Sequence, residues 1–368
     1  MKPLRLCLVL WSGRIGGAET WTLGLARSLR GRGVDTGVLF IGSPEPLVSQ
    51  LGDVPWSTLG LERGSQVILN ARKYASLVHR IGPDAAVLPA MGYLARMLRV
   101  GGYRGRVLAI EHGSALQLER QTWWRRVGRR VDMMTGRGVS DVLIAPSDFM
   151  LQRLRRVSRA PRYARIYPGL WLDRFMPGPA TSGEPDVLTV GCAARLIEGK
   201  GVDVLLKAVA RASRSTPMAL QIAGDGPMKS ELVQLARDMG LERATRFWGS
   251  VSDMPAFWRS CDIAVVPSST WVESFGMVAA EAMACGKPVL ASRQGGLPEL
   301  VMEGSTGYLF EPGNHAELAD LLARYAEDPA LRGDHGRAAM EHSRDRFDIS
   351  RSARELEELL RSEVVRAN

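Results

Sequence analysis

Two glutamates, Glu273 and Glu281, lie in the segment VVPSSTWVESFGMVAAEAMACGKPVLAS, Val265–Ser292. An apolar strand ends near Pro267, a polar loop follows, and a helix is expected from about Gly276 to Ala284. The first backbone N–H groups of such a helix, around Phe275, Gly276 and Met277, have no intrahelical acceptor. With the helix dipole they suit an anion or a hydroxyl. Glu281 is one turn beyond Met277 on the same face, and Glu273 just precedes the helix. Carboxylates accept paired hydrogen bonds from vicinal hydroxyls, so a sugar and a ribose fit the pair. The residues alone leave open that Glu273 caps the helix and that Glu281 is a solvated charge.

A second segment, GCAARLIEGKGVDVLLKAV (Gly191–Val209), places Arg195 and Lys200 between a strand end and a helix starting near Val202. Two cations at the carboxyl edge of a sheet can neutralise a diphosphate, Arg as a fork and Lys as a point charge. Two surface charges beside a turn is the plainer alternative. In SGRIGGAETW (Ser12–Trp21), Gly13, Gly16 and Gly17 crowd a strand-to-helix turn where backbone could approach a ligand, although many such turns use glycine structurally. In LAIEHGS (Leu108–Ser114), His112 follows a strand directly and stands where open α/β sheets bind ligands. It could exchange a proton or bond a substrate hydroxyl, or be structural. The other histidines, 79, 315, 335 and 342, fall in helical or solvated stretches.

The elements that must hold these residues alternate along the chain. Leu4–Leu10, Val34–Ile41, Ala85–Leu88, Val107–Ile110 and Val142–Ala145 read as strands. Ala18–Arg30, Val67–Arg80 and Leu116–Met134 read as helices. Alternation of this kind means parallel βαβ units and a doubly wound sheet. PGPATSGEPD (Pro177–Asp186) interrupts the pattern as a linker. The alternation then restarts with strand Val187–Ala193, helix Val202–Ala212, strand Ala219–Ala223 and helix Met228–Asp238. Strands at Thr245–Trp248, Ile263–Val266 and Pro288–Ala291 follow, and beyond Asn314 the chain is mostly helical. Two similar α/β halves flanking a cleft are expected, and 368 residues suffice for two cores.

Composition narrows the chemistry. Hydrophobic residues are 45% and charged residues 24%, ordinary values that exclude a disordered or fibrous chain. Cys7, Cys192, Cys261 and Cys285 are widely separated, which argues against a disulfide scaffold or a structural zinc site. GxGxxG, a Walker loop and an Asp-x-Asp metal pair are missing, so a dehydrogenase, a P-loop ATPase and a kinase lose ground. The N-terminal apolar run is too short for a signal peptide, and no stretch approaches a membrane span. The net charge is +9, unevenly placed: residues 1–178 carry 27 Lys/Arg against 12 Asp/Glu, and the rest carry 21 against 27. That asymmetry suggests an anionic partner (nucleic acid, lipid headgroups or a phosphorylated substrate) or simple drift in an Arg-rich composition. Within Leu116–Met134, Leu116, Trp123, Val127, Val131 and Met134 share a face ringed by arginines, which suits an anionic membrane surface or packing on the sheet.

Taken in order, the motifs resemble the retaining glycosyltransferases of the GT-B fold, family 4 (glycosyl transferases group 1). They are GGAE, APSDF, YPGLWLDRFMP, Arg195 with Lys200-Gly201, AGDGP, FWGSV, Glu273 with Glu281, GGLPELV and GYLFEPGN. YPG stands where Asn-Gly is usual, which bears on the interdomain hinge. The resemblance implies two Rossmann-like domains: residues 1–177 for the acceptor, 178–345 for the nucleotide sugar, and 346–368 as a helix crossing back. It implies that Arg195 and Lys200 hold the donor diphosphate and that Gly16 and Gly17 close over the phosphate or acceptor side. Glu281 would bind the ribose, Glu273 with the Phe275–Met277 amides the donor sugar, and the backbone around Gly224 and Val251 would border the base. His112 would contact the donor sugar near the reacting centre, and His112 and Glu273 are the catalytic candidates. The implied reaction is hexosyl transfer from a nucleotide-diphosphate sugar to a glycan or glycolipid, with retention and without a metal. Cell-surface polysaccharide or lipopolysaccharide synthesis, in the cytoplasm or on the inner membrane face, is its expected setting. A nucleotide-sugar epimerase or hydrolase on the same fold is the alternative. A nucleic-acid-binding protein, suggested by pI 9.7, gives no role to the two glutamates.

Overall fold

Alternation in β1 (Arg5–Leu10) sends Leu6, Leu8 and Leu10 into one buried cluster and Cys7 and Val9 into another, one on each face of a parallel sheet. The computed structural model describes residues 3–14, 16–89, 92–113, 139–178 and 187–365. Helix α1 (Gly17–Gly31) leads to β2 (Asp35–Phe40) and β3 (Trp56–Thr58), and α2 (Ala71–Ile81) leads to β4 (Ala85–Leu88). Then come α3 (Tyr93–Val100), β5 (Arg106–Ile110), β6 (Val142–Ala145), α4 (Asp148–Val157) and β7 (Arg162–Arg165). The strand order is β3-β2-β1-β4-β5-β6-β7, all pairings parallel, so the winding reverses between β1 and β4. At such a reversal the loops leave the sheet in opposite directions and open a crevice at the strands' carboxyl ends.

The second sheet repeats this plan with six parallel strands, β8 (Leu188–Ala193), β9 (Met218–Ala223), β10 (Thr245–Gly249), β11 (Ile263–Val266), β12 (Val289–Ser292) and β13 (Gly307–Phe310). Their order is β10-β9-β8-β11-β12-β13, with the reversal between β8 and β11. Helices α5 (Val202–Ala212), α6 (Lys229–Asp238), α7 (Met254–Arg259) and α8 (Met277–Ala284) connect the strands. Helices α9 (His315–Glu327) and α10 (Pro329–Arg346) follow β13. Leu188, Val190 and Cys192 face α5 and α9 in one cluster. On the other face Gly191 leaves room for Cys261, whose sulfur would lie 2.5 Å from an added Cβ. All four cysteines are free and buried.

The chain forms two units, Trp171–Phe347 and a discontinuous one made of Met1–Leu170 with Asp348–Asn368. The returning helix α11 (Ile349–Val365) inserts Ile349, Ala353, Leu356 and Leu360 into the core of the first unit against α1. Ion pairs fasten it there: Arg32 to Glu357 at 2.7 Å and Arg162 to Glu363 at 2.5 Å.

Short and edge elements differ most from the sequence reading. The edge strands β3, β7 and β13 are three or four residues long, and β7 is RYAR, with only partly buried side chains. An edge strand has one partner and lacks the continuous apolar run of a central one. Helices α3, α4 and α7 also escaped the reading; α4 buries only Met150 and Leu154 beneath its arginines. Helix α2 starts at Ala71 rather than Val67, because Gly64–Val67 close a 3-10 turn in which Arg63 N–H donates to Gln66 Oε1 at 3.0 Å. The expected helix Leu116–Met134 and most of the linker Pro177–Asp186 lie outside the described residues. Among the described residues, no helix is long and apolar enough to cross a membrane.

Candidate active site

In the second unit, the loops after β8 and β11 meet at the reversal of winding. The Gly199 carbonyl accepts the Ser269 and Trp271 N–H groups at 2.8 and 3.1 Å. Gly201, with φ +73°, opens α5, and a Cβ there would lie 1.8 Å from the Pro267 carbonyl oxygen. Only glycine allows both that left-handed turn and that approach. Gly201→Ala is therefore expected to destabilise the protein by roughly 3 kcal/mol. Its thermal unfolding midpoint should drop by about 5–10 °C.

These cross-bonded loops gather the charged residues. Lys200 Nζ lies 2.6 Å from Glu273 Oε1, with both side chains about 13–14% exposed, and the Ser268 hydroxyl donates to the same oxygen at 2.7 Å. The Trp271 ring takes Arg195 at 4.9 Å and Lys200 at 5.2 Å from its centroid. One indole thus meets two like charges, whose repulsion cation–π attraction offsets. Arg195 is exposed and Lys200 partly buried, so the pair presents one reaching and one fixed cation. Glu273 does not cap α8: the residue at that position is Gly276, with φ +118°.

The GGLPEL segment braces the glutamate loop from behind. Gly296 N–H donates to the Glu273 carbonyl at 2.9 Å, and a Cβ on Gly295 (φ +61°) would lie 2.1 Å from that oxygen. Gln294 Nε2 donates to the carbonyls of Ser268 and Ser269. Phe275 is buried edge-on against Phe347 at 5.4 Å. The Phe275–Met277 segment is thereby fixed where α8 begins, with first-turn N–H groups that have no intrahelical acceptor.

Glu281, one turn into α8, is partly buried. Burial pushes its carboxyl up to about 7, against the opposing pulls of the Trp258 indole and the positive charge of Arg174. A solvated surface charge does not have this environment. Gly224 (φ +132°) and Val251 follow β9 and β10. Gly224 N–H donates to the Gly249 carbonyl at 2.7 Å, and a Cβ on Gly224 would lie 1.8 Å from the Ala194 carbonyl oxygen. The backbone after β9 therefore lies against the strand end that leads to Arg195.

In the first unit, Gly16 is the extended N-cap of α1 and Gly17 its first residue. The glycine this turn requires is Gly13, where a Cβ would lie 1.7 Å from the Pro44 carbonyl oxygen. A Cβ on Gly16 meets only the movable end of Glu19. Burial raises the Glu19 carboxyl above its ordinary range. His112 follows β5 with its ring edge-on to Trp21 of α1 at 5.5 Å, and burial pushes its pKa down to about 4. The imidazole is therefore neutral near pH 7, suited to a hydrogen bond with a hydroxyl and unsuited to act as a standing cation.

Trp271, Ser268, Gln294, Trp258 and Arg174 are the residues the sequence reading missed. The W-x-E spacing of Trp271 to Glu273 and the Arg of YPGLWLDRFMP were the available signals. Among the described residues, no three His, Cys, Asp or Glu side chains converge as metal ligands do.

Comparison with known proteins extends the geometry. Residues 15–174 match the model of Glycosyltransferase Family 4, and residues 180–342 match that of Glycosyl transferases group 1. A D-inositol 3-phosphate glycosyltransferase of Saccharomonospora viridis is 36% identical over 247 residues, 61% of this chain but only 56% of that protein. The chain thus spans little more than half of that relative. A GDP-mannose-dependent alpha-(1-6)-phosphatidylinositol monomannoside mannosyltransferase of Mycolicibacterium smegmatis is 30% identical over 302 residues, 75% of this chain and 74% of that protein. The crystal structure of Anabaena HepE with UDP and glucose superposes with a TM-score of 0.81 at 25% identity, covering 98% of this chain and 100% of that one. Two parallel Rossmann-like sheets, a C-terminal helix returned to the first unit and these matches lead to one assignment: the chain belongs to the group 1, family 4 glycosyltransferases of the GT-B fold.

Proposed function

We propose that this protein transfers a hexosyl group from a nucleoside-diphosphate sugar to a hydroxyl of a glycan or lipid-linked acceptor, with retention of anomeric configuration. The observation that carries the reading is the set of Arg195, Lys200 and Glu273 around Trp271 where the second sheet reverses its winding. Departure of a nucleoside diphosphate builds negative charge on the β-phosphate. Arg195 and Lys200, already positioned, stabilise that charge without reorganising. Glu273 and the amides of Phe275–Met277 receive the sugar hydroxyls, Glu281 accepts from the ribose diol, and the backbone at Gly224 and Val251 borders the base. In the first unit, Gly16, Gly17 and the neutral His112 serve the hydroxyl-bearing substrate. The acceptor oxygen bonds to the anomeric carbon as the C–O bond to the diphosphate breaks. Its proton passes to the departing phosphate on the same face.

The UDP and glucose bound by HepE and the GDP-mannose used by the mycobacterial relative support a nucleotide-sugar donor. Work on cell-surface polysaccharide or lipopolysaccharide at the cytoplasmic face is part of the same proposal. A thermal-shift panel of nucleoside diphosphates and nucleotide sugars, with and without chelator, tests it. The matching nucleotide at a hundred times its dissociation constant contributes about 2.7 kcal/mol and raises the midpoint by about 5–10 °C in chelator too. No shift with any nucleotide overturns the donor assignment. Product analysis with an acceptor separates transfer from epimerisation or hydrolysis.

A further inference from the structure

Lys200 and Arg195 are steadied in different ways. Lys200 has its ion pair with Glu273 at 2.6 Å. Arg195 is exposed, and among the described residues no carboxylate or carbonyl engages its guanidinium, which meets the Trp271 ring 4.9 Å from the centroid. The backbone on either side of it is pinned. Ala194 N–H donates to the Ala223 carbonyl at 3.0 Å, and Leu196 N–H donates to the Asp225 carbonyl at 2.9 Å. The side chain thus starts from a fixed point, and the indole sets where its charged end rests. Lys200 Nζ lies 5.2 Å from the same centroid.

A solvated arginine samples many rotamers, and stabilising charge without reorganisation requires one of them to be selected beforehand. A carboxylate could select it, but would fill the N–H fork that phosphate oxygens must enter. An aromatic face attracts the same charge through its quadrupole and takes none of its donors. The ring is itself well anchored. Trp271 N–H donates at 3.1 Å to the carbonyl of Gly199, which lies between Arg195 and Lys200 in the chain. Gln294 Nε2 braces the same loop through the Ser269 carbonyl at 3.3 Å. Glu273 follows closely, so one short loop supplies the carboxylate for Lys200 and the ring for both cations.

We infer that Trp271 is a positioning residue: its indole holds Arg195, and steadies Lys200, where the donor diphosphate is to lie, with the guanidinium fork left open for phosphate oxygens. The inference rests on the donor assignment above. Trp271 acts through the two cations and not on the reacting atoms. Calorimetric titrations of the full chain with UDP, GDP, ADP and dTDP, each beside its parent nucleoside, test it. Trp271→Leu keeps apolar bulk and removes the ring face. It should weaken the preferred diphosphate about tenfold, leave the nucleoside unchanged and move the unfolding midpoint by no more than about 2 °C. Trp271→Phe, which retains a weaker face, should fall between the two. Fluorinated tryptophans at position 271 keep the shape and weaken the face, so Kd for the diphosphate should rise in step with the number of fluorines. In an Arg195→Ala background the leucine change should cost less than about threefold, because the main group it positions is gone. Equal diphosphate affinity of wild type and the leucine variant overturns the inference. So does a nucleoside loss as large as the diphosphate loss, a flat fluorine series, or a full tenfold loss in the Arg195→Ala background. Wild type that binds no nucleoside diphosphate at all overturns the donor assignment, and this inference with it.

Discussion

Lys200→Ala is expected to lower kcat/KM for the nucleotide-sugar donor by about 10²–10³-fold, the loss typical when one preorganised charge partner of a developing oxyanion is removed. Stability should fall as well. Lys200 and Glu273 are both mostly buried at 2.6 Å, so the truncation leaves a carboxylate short of its cation while the Ser268 hydroxyl still donates to it. Roughly 2 kcal/mol and about 5 °C in the unfolding midpoint follow from a pair of this exposure. Glu273→Gln in the same background should recover much of the midpoint and none of the turnover. Measured as a double-mutant cycle, the two readouts separate the structural contribution of the pair from its chemical one. An alanine variant with wild-type kcat/KM would remove Lys200 from the donor site.

Glu281→Gln should act in opposite directions on binding and on stability. The folded carboxyl titrates near 7, above the ordinary 4.5, because burial penalises its charge. The penalty is absent below about pH 4.5, grows as pH rises, and is complete above 7. A difference of this size corresponds to roughly 3 kcal/mol. Glutamine is neutral throughout, so the variant should unfold several degrees above wild type at pH 8 and at the same temperature at pH 4. Nucleotide affinity should move the other way. A ribose diol donates two hydrogen bonds, which the carboxylate accepts more fully than the acid or an amide does. Wild-type affinity for a nucleotide sugar, whose phosphates do not titrate in this range, is expected to rise between about pH 6 and 8 and then level off. The variant should bind about 10–100-fold more weakly with a flat profile, as titration calorimetry across that range would show. A wild-type profile as flat as the variant's would sink the ribose assignment.

How much of this was legible depended on range. Arg195, Lys200 and Glu273 announced themselves locally, as charges placed just after apolar strands among glycines. Their meeting did not, because Lys200 and Glu273 are 73 residues apart and the sheet order alone brings them together. Trp271 carries no local sign of its place, because both cations reach its ring only when the loops after β8 and β11 come together. Trp258 and Arg174 act on Glu281 from α7 and from the YPGLWLDRFMP stretch, and nothing in either segment names that glutamate. The central strands β1, β8 and β11 were plain because burial on both faces demands an unbroken apolar run. Edge strands such as β7, whose side chains are all partly exposed, leave no such record.

The way α11 completes the first unit bears on the order in which the protein can be made. A ribosome delivers residues 1–170 before residues 171–347, yet Ile349, Leu356 and Leu360, which close the first unit's core over α1, emerge only after both. The second unit is one uninterrupted stretch and can reach its native state while the earlier half still waits with the α1 side of its sheet uncovered. Synthesis and maturation therefore run in opposite directions across the two units: the one begun earlier is completed later.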